Sequence, residues 1–137
     1  ACPLADGARE ALDAFARAGL RQVILSASPI TTLRRQVEAR GVAGYFDRLL
    51  GLGDIYAKSK VDLGLQYLRE TGFDPARAVM IGDSTHDFEV ARTLGVPCVL
   101  QSAGHQPPEV LRRTGAPVVP GLREAAKLIL EGENNNV

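Results

Sequence analysis

Short apolar segments alternate along the chain with stretches whose apolar residues recur every three or four positions. Residues 23–25 and 78–81 are continuous apolar runs, typical of strands that are covered on both faces. Residues 96–100 form a further predicted strand, and Val118-Val119 a short final one. Helical spacing separates these runs, which predicts an α/β fold: a three-layer αβα sandwich with a mainly parallel sheet.

Side chains that can cap a helix mark where several of the predicted helices begin. Asp6 is placed to cap the first helix, and Ser28 to cap a helix that opens with Pro29. Ser59, with Asp62 three residues later, resembles a capping box. These signals fix the expected starts of three helices.

Composition limits the classes of protein to which the chain can belong. Its 137 residues fit one domain, expected over residues 1–132 with a frayed tail at 133–137. Sixteen basic and 16 acidic residues cancel, which argues against nucleic acid or an anionic membrane as a partner. No apolar run approaches the roughly 20 residues that span a bilayer. No signal peptide is visible, and Cys2 and Cys98 lack metal-ligand spacing, so inert thiols in the cytoplasm are expected.

The segment from residue 79 to residue 88 carries the clearest candidate chemistry. Gly82 would end a strand, Asp83 would follow it, and Asp87 would lie in the first turn of the next helix. Two carboxylates held close repel unless a cation joins them, and Mg²⁺ takes one or two carboxylates together with waters and phosphate. The alternative is that Asp83 caps the helix while Asp87 supports its dipole.

Other polar residues are expected at the same edge of the sheet. Ser26 and Ser102 each follow a predicted strand, and Lys60 lies at a helix start. A hydroxyl, an ammonium group and paired carboxylates at one edge suit a phosphate and its metal ion. Taken singly, Ser26 also fits a strand-end cap, and Lys60 fits a solvated helix residue.

These motifs resemble those of the haloacid dehalogenase-like hydrolases, and within them the phosphoglycolate phosphatase type. The strand that ends at Ser26 is similar to the second family motif, and Lys60 to the third, with Lys58 the weaker choice. Gly82-Asp83 with Asp87 is similar to the fourth motif. The resemblance runs from about residue 3 to about residue 130 and includes Gly104-His105-Gln106.

The resemblance implies hydrolysis of a small phosphorylated metabolite through an aspartyl-phosphate, with Mg²⁺ as cofactor. It implies that Ser26, Lys60 and Asp83 take part in catalysis. It also implies that Ser26, Ala27 and Lys60 bind the phosphate, and that Asp83 and Asp87 hold or orient the metal ion. Hydrolysis of phosphate monoesters is very slow without a catalyst, so neutralisation of charge must supply much of the acceleration.

The chain departs from the family at the first motif. No Asp-x-Asp occurs in it, and Asp6-Gly7 is preceded by Leu4-Ala5 rather than by a nucleophile. We therefore expect a sheet that lacks its first strand, and little or no phosphatase activity from these residues alone. The family's topology places that strand between the strands ending at Ser26 and Asp83. Direct pairing of those two strands, a strand from a second copy, or an amino-terminal segment would fill the position.

Two other classes of protein remain open from the sequence. One is a non-catalytic relative kept for binding or assembly, and the other is a receiver-like signalling domain, although its early acidic cluster is missing. His86 is expected on the solvated rim of the site. His105 is expected either to contact substrate or, as the favoured alternative, to pack within its loop.

Overall fold

The structure is a computed structural model that describes residues 7–53 and 59–135. The chain divides into two compact units, Ala1–Gly72 and Phe73–Val137. The first unit contains α1 (Ala8–Arg17), β1 (Val23–Pro29), α2 (Ile30–Ala39), β2 (Arg48–Leu52) and α3 (Lys60–Thr71). The second contains β3 (Met80–Gly82), α4 (Thr85–Leu94), β4 (Cys98–Gln101), α5 (Pro108–Arg112), β5 (Val118–Val119) and α6 (Leu122–Asn135). Single 3-10 turns cover Ala43–Tyr45 and Pro75–Arg77.

All three strand pairings between described residues are parallel, which confirms the predicted α/β class. β1 pairs with β2, and the second unit has the strand order β3-β4-β5. Because β1 and β3 belong to different sheets, the direct pairing that we expected as one alternative is wrong. A strand supplied by another segment or another chain stays a prediction, as does a single domain over residues 1–132.

Helices cover both faces of the sheet in the first unit, so the αβα layering is visible there. Successive residues of a strand point to opposite faces. On one face, residues of both strands pack with α2 in a cluster that includes Ile24, Leu49, Leu33 and Val37. On the other face they pack with α3 in a cluster that includes Val23, Leu25, Leu50 and Leu63.

The core of the second unit forms around β4. Leu100 on β4 and Leu111 on α5 are fully buried, and Val90 on α4 is 2% exposed. Burial of side chains this size contributes about 1.5–3 kcal/mol each. β3 contacts this core less completely than its apolar sequence predicts, since Met80 and Ile81 are half-buried and Val79 is 39% exposed. The prediction that this strand is covered on both faces is not confirmed within the second unit, where these residues keep part of their surface exposed.

Three predicted boundaries also differ from the structure. The N-cap of α1 is Gly7, not Asp6, which lies outside the described residues. The N-cap of α2 is Pro29, not Ser28, and no side chain caps that helix. α6 continues to Asn135, into the predicted tail, because nothing in residues 133–135 breaks a helix. Within the described ranges, no helix combines the length and apolar character that crossing a bilayer requires.

Candidate functional site

The turn from β3 into α4 holds the two predicted metal ligands. β3 ends at Gly82, Asp83 follows, and α4 begins at Thr85 with Asp87 in its first turn. Ser84 is the N-cap, and its Oγ accepts a hydrogen bond from the Asp87 N–H at 3.1 Å. The alternative in which Asp83 caps this helix is therefore wrong. Helix capping does not explain an acidic residue at position 83.

Asp87 organises the backbone of the turn. Its Oδ2 accepts hydrogen bonds from the Asp83 N–H at 3.1 Å and from the Ser84 hydroxyl at 3.0 Å. A Cβ added at Gly82 would lie 2.4 Å from the Asp87 Cβ. Glycine is thus required at position 82 by the close approach of the Asp87 side chain.

A second glycine lies against the other carboxylate. A Cβ added at Gly104 would lie 2.6 Å from the Asp83 Oδ2 and 2.9 Å from its Cγ. Gly104 belongs to the loop after β4, which is tied to α4 by Gln106: the Gln106 Oε1 accepts from the Thr85 N–H at 2.6 Å. Asp83 thus lies between the end of β3 and this loop.

Cys98, the first residue of β4, is affected by the negative charge of Asp87. Burial, with a smaller contribution from the negative charge of Asp87, raises the pKa of the Cys98 thiol to about 11. A thiol with so high a pKa is almost wholly protonated at neutral pH, and only the thiolate is a good nucleophile. This agrees with the inert thiol predicted from the sequence.

Ser26 and Ala27 lie in an irregular part of β1. Leu25 is paired with Leu50 and Pro29 with Leu52, so four steps along β1 match two along β2. The extra residues bulge, and the Ser26 Oγ accepts a hydrogen bond from the Ser28 N–H at 3.0 Å. A serine hydroxyl that accepts one hydrogen bond can still donate another, so this geometry leaves Ser26 able to bind an anion.

Lys60 is the first residue of α3. Ser59 is the N-cap, and its Oγ accepts from the Asp62 N–H at 3.2 Å, which confirms the predicted helix start. A cation is unfavourable at the positive end of a helix dipole, so Lys60 is not placed there to stabilise the helix. Lys58, the weaker candidate, lies outside the described residues.

The four principal site residues are divided equally between the two units. Ser26 and Lys60 belong to the first unit, while Asp83 and Asp87 belong to the second. The structure brings Asp83 and Asp87 together through the hydrogen bond between the Asp83 N–H and the Asp87 Oδ2. The convergence of all four side chains stays a prediction.

Sequence reasoning missed the residues that support the carboxylates. Ser84 was not assigned as a cap, although Ser84 and Asp87 have the spacing of one. Gly104 and Gln106 were noticed only as part of a resemblance, because their partners lie about 20 residues away in sequence. His86 and His105 are both exposed, which argues against the packing role expected for His105.

The donor chemistry of Asp83 and Asp87 fits Mg²⁺. This ion prefers oxygen ligands and completes its shell with waters and substrate phosphate, so one or two carboxylates suffice. Among the residues that the structure describes, no group of three or more His, Cys, Asp or Glu side chains could hold a metal ion by themselves.

Comparison with known proteins finds one family model and several similar proteins. A family model described as haloacid dehalogenase-like hydrolase matches residues 1–101. The phosphoglycolate phosphatase of Thiobacillus denitrificans is 34% identical over 128 residues, which are 90% of this chain and 56% of that protein. The tyrosine-protein kinase PtkA of Mycobacterium tuberculosis is 29% identical over 117 residues, or 85% of this chain and 40% of the kinase.

A solved structure extends the similarity to the fold. The crystal structure of a predicted phosphatase from Clostridium acetobutylicum matches with a TM-score of 0.85 at 26% identity. The match covers 92% of this chain and 59% of that one. The chain spans about half the length of the curated relatives it matches.

Proposed function

The chain belongs to the haloacid dehalogenase-like hydrolases, and from that premise we propose that it carries part of the active site of a Mg²⁺-dependent phosphatase. The substrate class we propose is the phosphate monoesters of small metabolites, as the names of the phosphoglycolate phosphatase relatives suggest. The proposal concerns an assembled site, to which these 137 residues contribute the phosphate-binding and metal-binding side chains.

One observation carries the proposal: Asp83 directly follows a strand, beside Asp87, while Ser84 does the work of capping α4. Both residues place negative charge at the turn into α4, and carboxylates that are brought close together repel each other. A divalent cation removes that repulsion. Asp83 and Asp87 would hold or orient Mg²⁺, which when bound would offset the negative charge of the phosphate.

Ser26, Ala27 and Lys60 are the proposed phosphate-binding residues. The Ser26 hydroxyl and the Ala27 N–H lie in a bulge, where backbone groups leave the regular pairing of a sheet. The Lys60 ammonium group would neutralise a phosphate oxygen as a compact cation. These roles are separable from metal binding, since none of the three residues supplies a carboxylate.

The nucleophile must come from residues other than those in this chain. Family chemistry uses an aspartate in an Asp-x-Asp motif, and the sequence contains none. We therefore propose that this polypeptide alone hydrolyses phosphate esters at close to the background rate, and that a strand from another segment or a second copy completes the site. Strong Mg²⁺-dependent hydrolysis of p-nitrophenyl phosphate by these 137 residues would contradict this proposal.

The proposed metal-binding and phosphate-binding residues can be tested by titrating the isotope-labelled chain separately with Mg²⁺ and with inorganic phosphate. NMR would monitor the amide signals during each titration. Mg²⁺ should shift the amide signals of Asp83, Ser84 and Asp87, and Asp83→Asn should weaken this binding about tenfold, or about 1.4 kcal/mol. Ser26→Ala and Lys60→Ala should leave Mg²⁺ binding unchanged and weaken binding of inorganic phosphate. Binding of Mg²⁺ that is insensitive to Asp83→Asn would remove the metal site from this position.

A non-catalytic binding or assembly module is the second candidate, and absence of an Asp-x-Asp motif from the whole gene product would favour it. Such a module need not retain Ser26 and Lys60 as phosphate ligands. Phosphate binding that is unaffected by both substitutions, or absent from the unmodified chain, would support the module. The cytoplasmic setting and the absence of nucleic acid partners also remain proposals, and they suit either candidate.

A further inference from the structure

We propose that the loop Ser102–Gln106 positions the Asp83 carboxylate for the divalent ion, with Gln106 as the residue that fastens the loop. This inference rests on the proposed function, because it concerns the same ion. It assigns a role to three features that the phosphatase chemistry does not use: the amide side chain of Gln106, the glycine at 104 and the first N–H of α4.

Gln106 fastens one end of the loop to α4. Its Oε1 accepts from the Thr85 N–H at 2.6 Å, and its Nε2 lies 3.5 Å from the Thr85 Oγ1. Thr85 is the first residue of the helix, and the first N–H groups of a helix have no acceptor within it. Gln106 supplies that acceptor from 21 residues away, so the hydrogen bond ties the loop to the turn that contains Asp83.

The other end of the loop is tied to the strands. The Ser102 N–H donates to the Val119 carbonyl on β5 at 2.9 Å, and the Gln101 Oε1 accepts from the Ala103 N–H at 2.9 Å. Gly104 lies between these two attachments. The position of its backbone is therefore set from both sides.

Gly104 is the point of contact with Asp83. The space that a Cβ would occupy there is filled by the Asp83 side chain, at 2.6 Å from Oδ2 and 3.0 Å from Cβ. The backbone of Gly104 therefore limits the directions that the carboxylate can take. A carboxylate already restricted to its binding direction loses less freedom when an ion binds, which raises affinity.

The main test compares two substitutions of Gln106 that have nearly the same shape. Gln106→Met removes the acceptor, whereas Gln106→Glu keeps an oxygen that can accept from the Thr85 N–H. We expect Gln106→Met to weaken Mn²⁺ binding, measured by electron paramagnetic resonance, by about three- to tenfold. Gln106→Glu should bind Mn²⁺ at least as tightly as the unmodified chain, and Gln36→Met on the exposed face of α2 is the matched control.

Hydrogen exchange at Thr85 distinguishes fastening from a general loss of stability. In Gln106→Met the Thr85 amide should exchange faster while core amides such as that of Leu100 keep their protection. Gln106→Glu should restore slow exchange at Thr85. Faster exchange throughout the chain would indicate unfolding, and Mn²⁺ binding would then be judged from the glycine variant below.

Gly104→Ala tests the contact itself. Gly104 does not have a positive φ, so alanine adds a methyl group without backbone strain. The clash falls on the flexible Asp83 side chain, so we expect the carboxylate to move and Mn²⁺ binding to weaken with little change in melting temperature. Gly44→Ala, where nothing lies within 4 Å of the added Cβ, is the control and should have no effect on binding.

The side-chain torsion of Asp83 separates failure of this inference from failure of the proposed function. Scalar couplings should report one χ1 rotamer in the unmodified chain and averaging or a new rotamer in Gln106→Met and Gly104→Ala. Unchanged couplings in both variants would overturn the positioning role, whatever the ion does. An unmodified chain that holds Asp83 in one rotamer but binds no Mn²⁺ would instead overturn the metal site.

Discussion

Two strand-to-helix turns, β1–α2 in the first unit and β3–α4 in the second, are held by different interactions. Side-chain hydrogen bonds hold the turn between β3 and α4: Ser84 caps the helix, and Asp87 accepts two hydrogen bonds from the turn. Between β1 and α2, no side chain caps the helix, and Pro29 is the N-cap. The β1–α2 turn is held instead by contact with β2, the neighbouring strand.

Close approach of two backbones explains the β1–α2 turn. β1 remains paired beyond Ser26 as far as Pro29, opposite Leu52. A Cβ at Gly51 would lie 2.9 Å from the Ile30 Cα and 2.9 Å from the Ser28 carbonyl oxygen. Glycine at 51 thus allows β2 to contact the start of α2, and this contact extends β1 where a capping rule would end it.

Similar sequence signals therefore have different outcomes in the two turns. A serine before a helix becomes the cap at position 84, because it and Asp87 can satisfy each other locally. At position 28 the same residue type lies in an extended strand, since pairing with β2 is favoured over a cap. A local pattern is decisive only where no tertiary contact competes with it.

The largest effect should come from Gly51→Ala. The added methyl group meets backbone atoms, which cannot move as a side chain can, so overpacking should destabilise the chain by about 3 kcal/mol. Urea unfolding, with the slope of the transition compared between variants, would measure this. Gly44→Ala is the control and should be neutral or stabilising by up to about 1 kcal/mol, because its Cβ meets nothing.

A small effect of Gly51→Ala would contradict this account of the β1–α2 turn. It would mean that the β1–α2 turn yields easily and does not depend on the approach of β2. The pairing of Pro29 with Leu52 would then have to be maintained by other contacts, and the reason for the failed cap at Ser28 would need revision.

A pair of serine substitutions tests the difference between the turns directly. Ser84→Ala removes an acceptor for the Asp87 N–H and a donor to its carboxylate, and should cost about 1–2 kcal/mol of unfolding free energy. Ser28→Ala should change it by less than about 0.5 kcal/mol, since the Ser28 side chain caps nothing. Equal losses from both substitutions would show that the two turns are not held differently.

Most of the element order could be predicted from the sequence, because it depends on local periodicity and stop signals. The helix ends at Gly72 and Gly95 are examples, since both residues take the left-handed conformation that glycine accepts at a helix C-cap. Burial of β3 could not be predicted, because an apolar run does not reveal which elements pack over each face of a strand. That property depends on the tertiary fold.

Within the candidate site, only the relation between the two acidic residues could be predicted from local spacing. Asp83 and Asp87 are four residues apart, so one turn of structure fixes their relation. Gln106 and Gly104 contact this turn from the loop after β4, and no short-range spacing connects them to it. Ser26 and Lys60 require knowledge of how separate segments approach, which the physics of local structure does not supply.

The smallest effect should appear at Cys98, whose thiol reports on the charge of Asp87. Burial is the larger cause of its raised pKa, and Asp87 the smaller, so Asp87→Asn should lower the pKa from about 11 while leaving it above 9.0. The rate of alkylation by iodoacetamide at pH 9 should then rise by less than about tenfold. A Cys2→Ser background leaves one thiol to follow, and Ser28→Ala is the control that should leave the rate unchanged.

The raised pKa of the Cys98 thiol also predicts how the free energy of unfolding changes with pH. Its folded-state pKa is above the ordinary value of 9.0, so the unfolded chain loses this proton first as the pH rises. The contribution of Cys98 to stability is therefore complete below pH 9.0 and is lost as the pH rises through about 11. In Asp87→Asn the folded-state pKa should be lower, so this loss of stability should end at a lower pH. An unchanged pH range would show that the charge of Asp87 does not affect the Cys98 thiol.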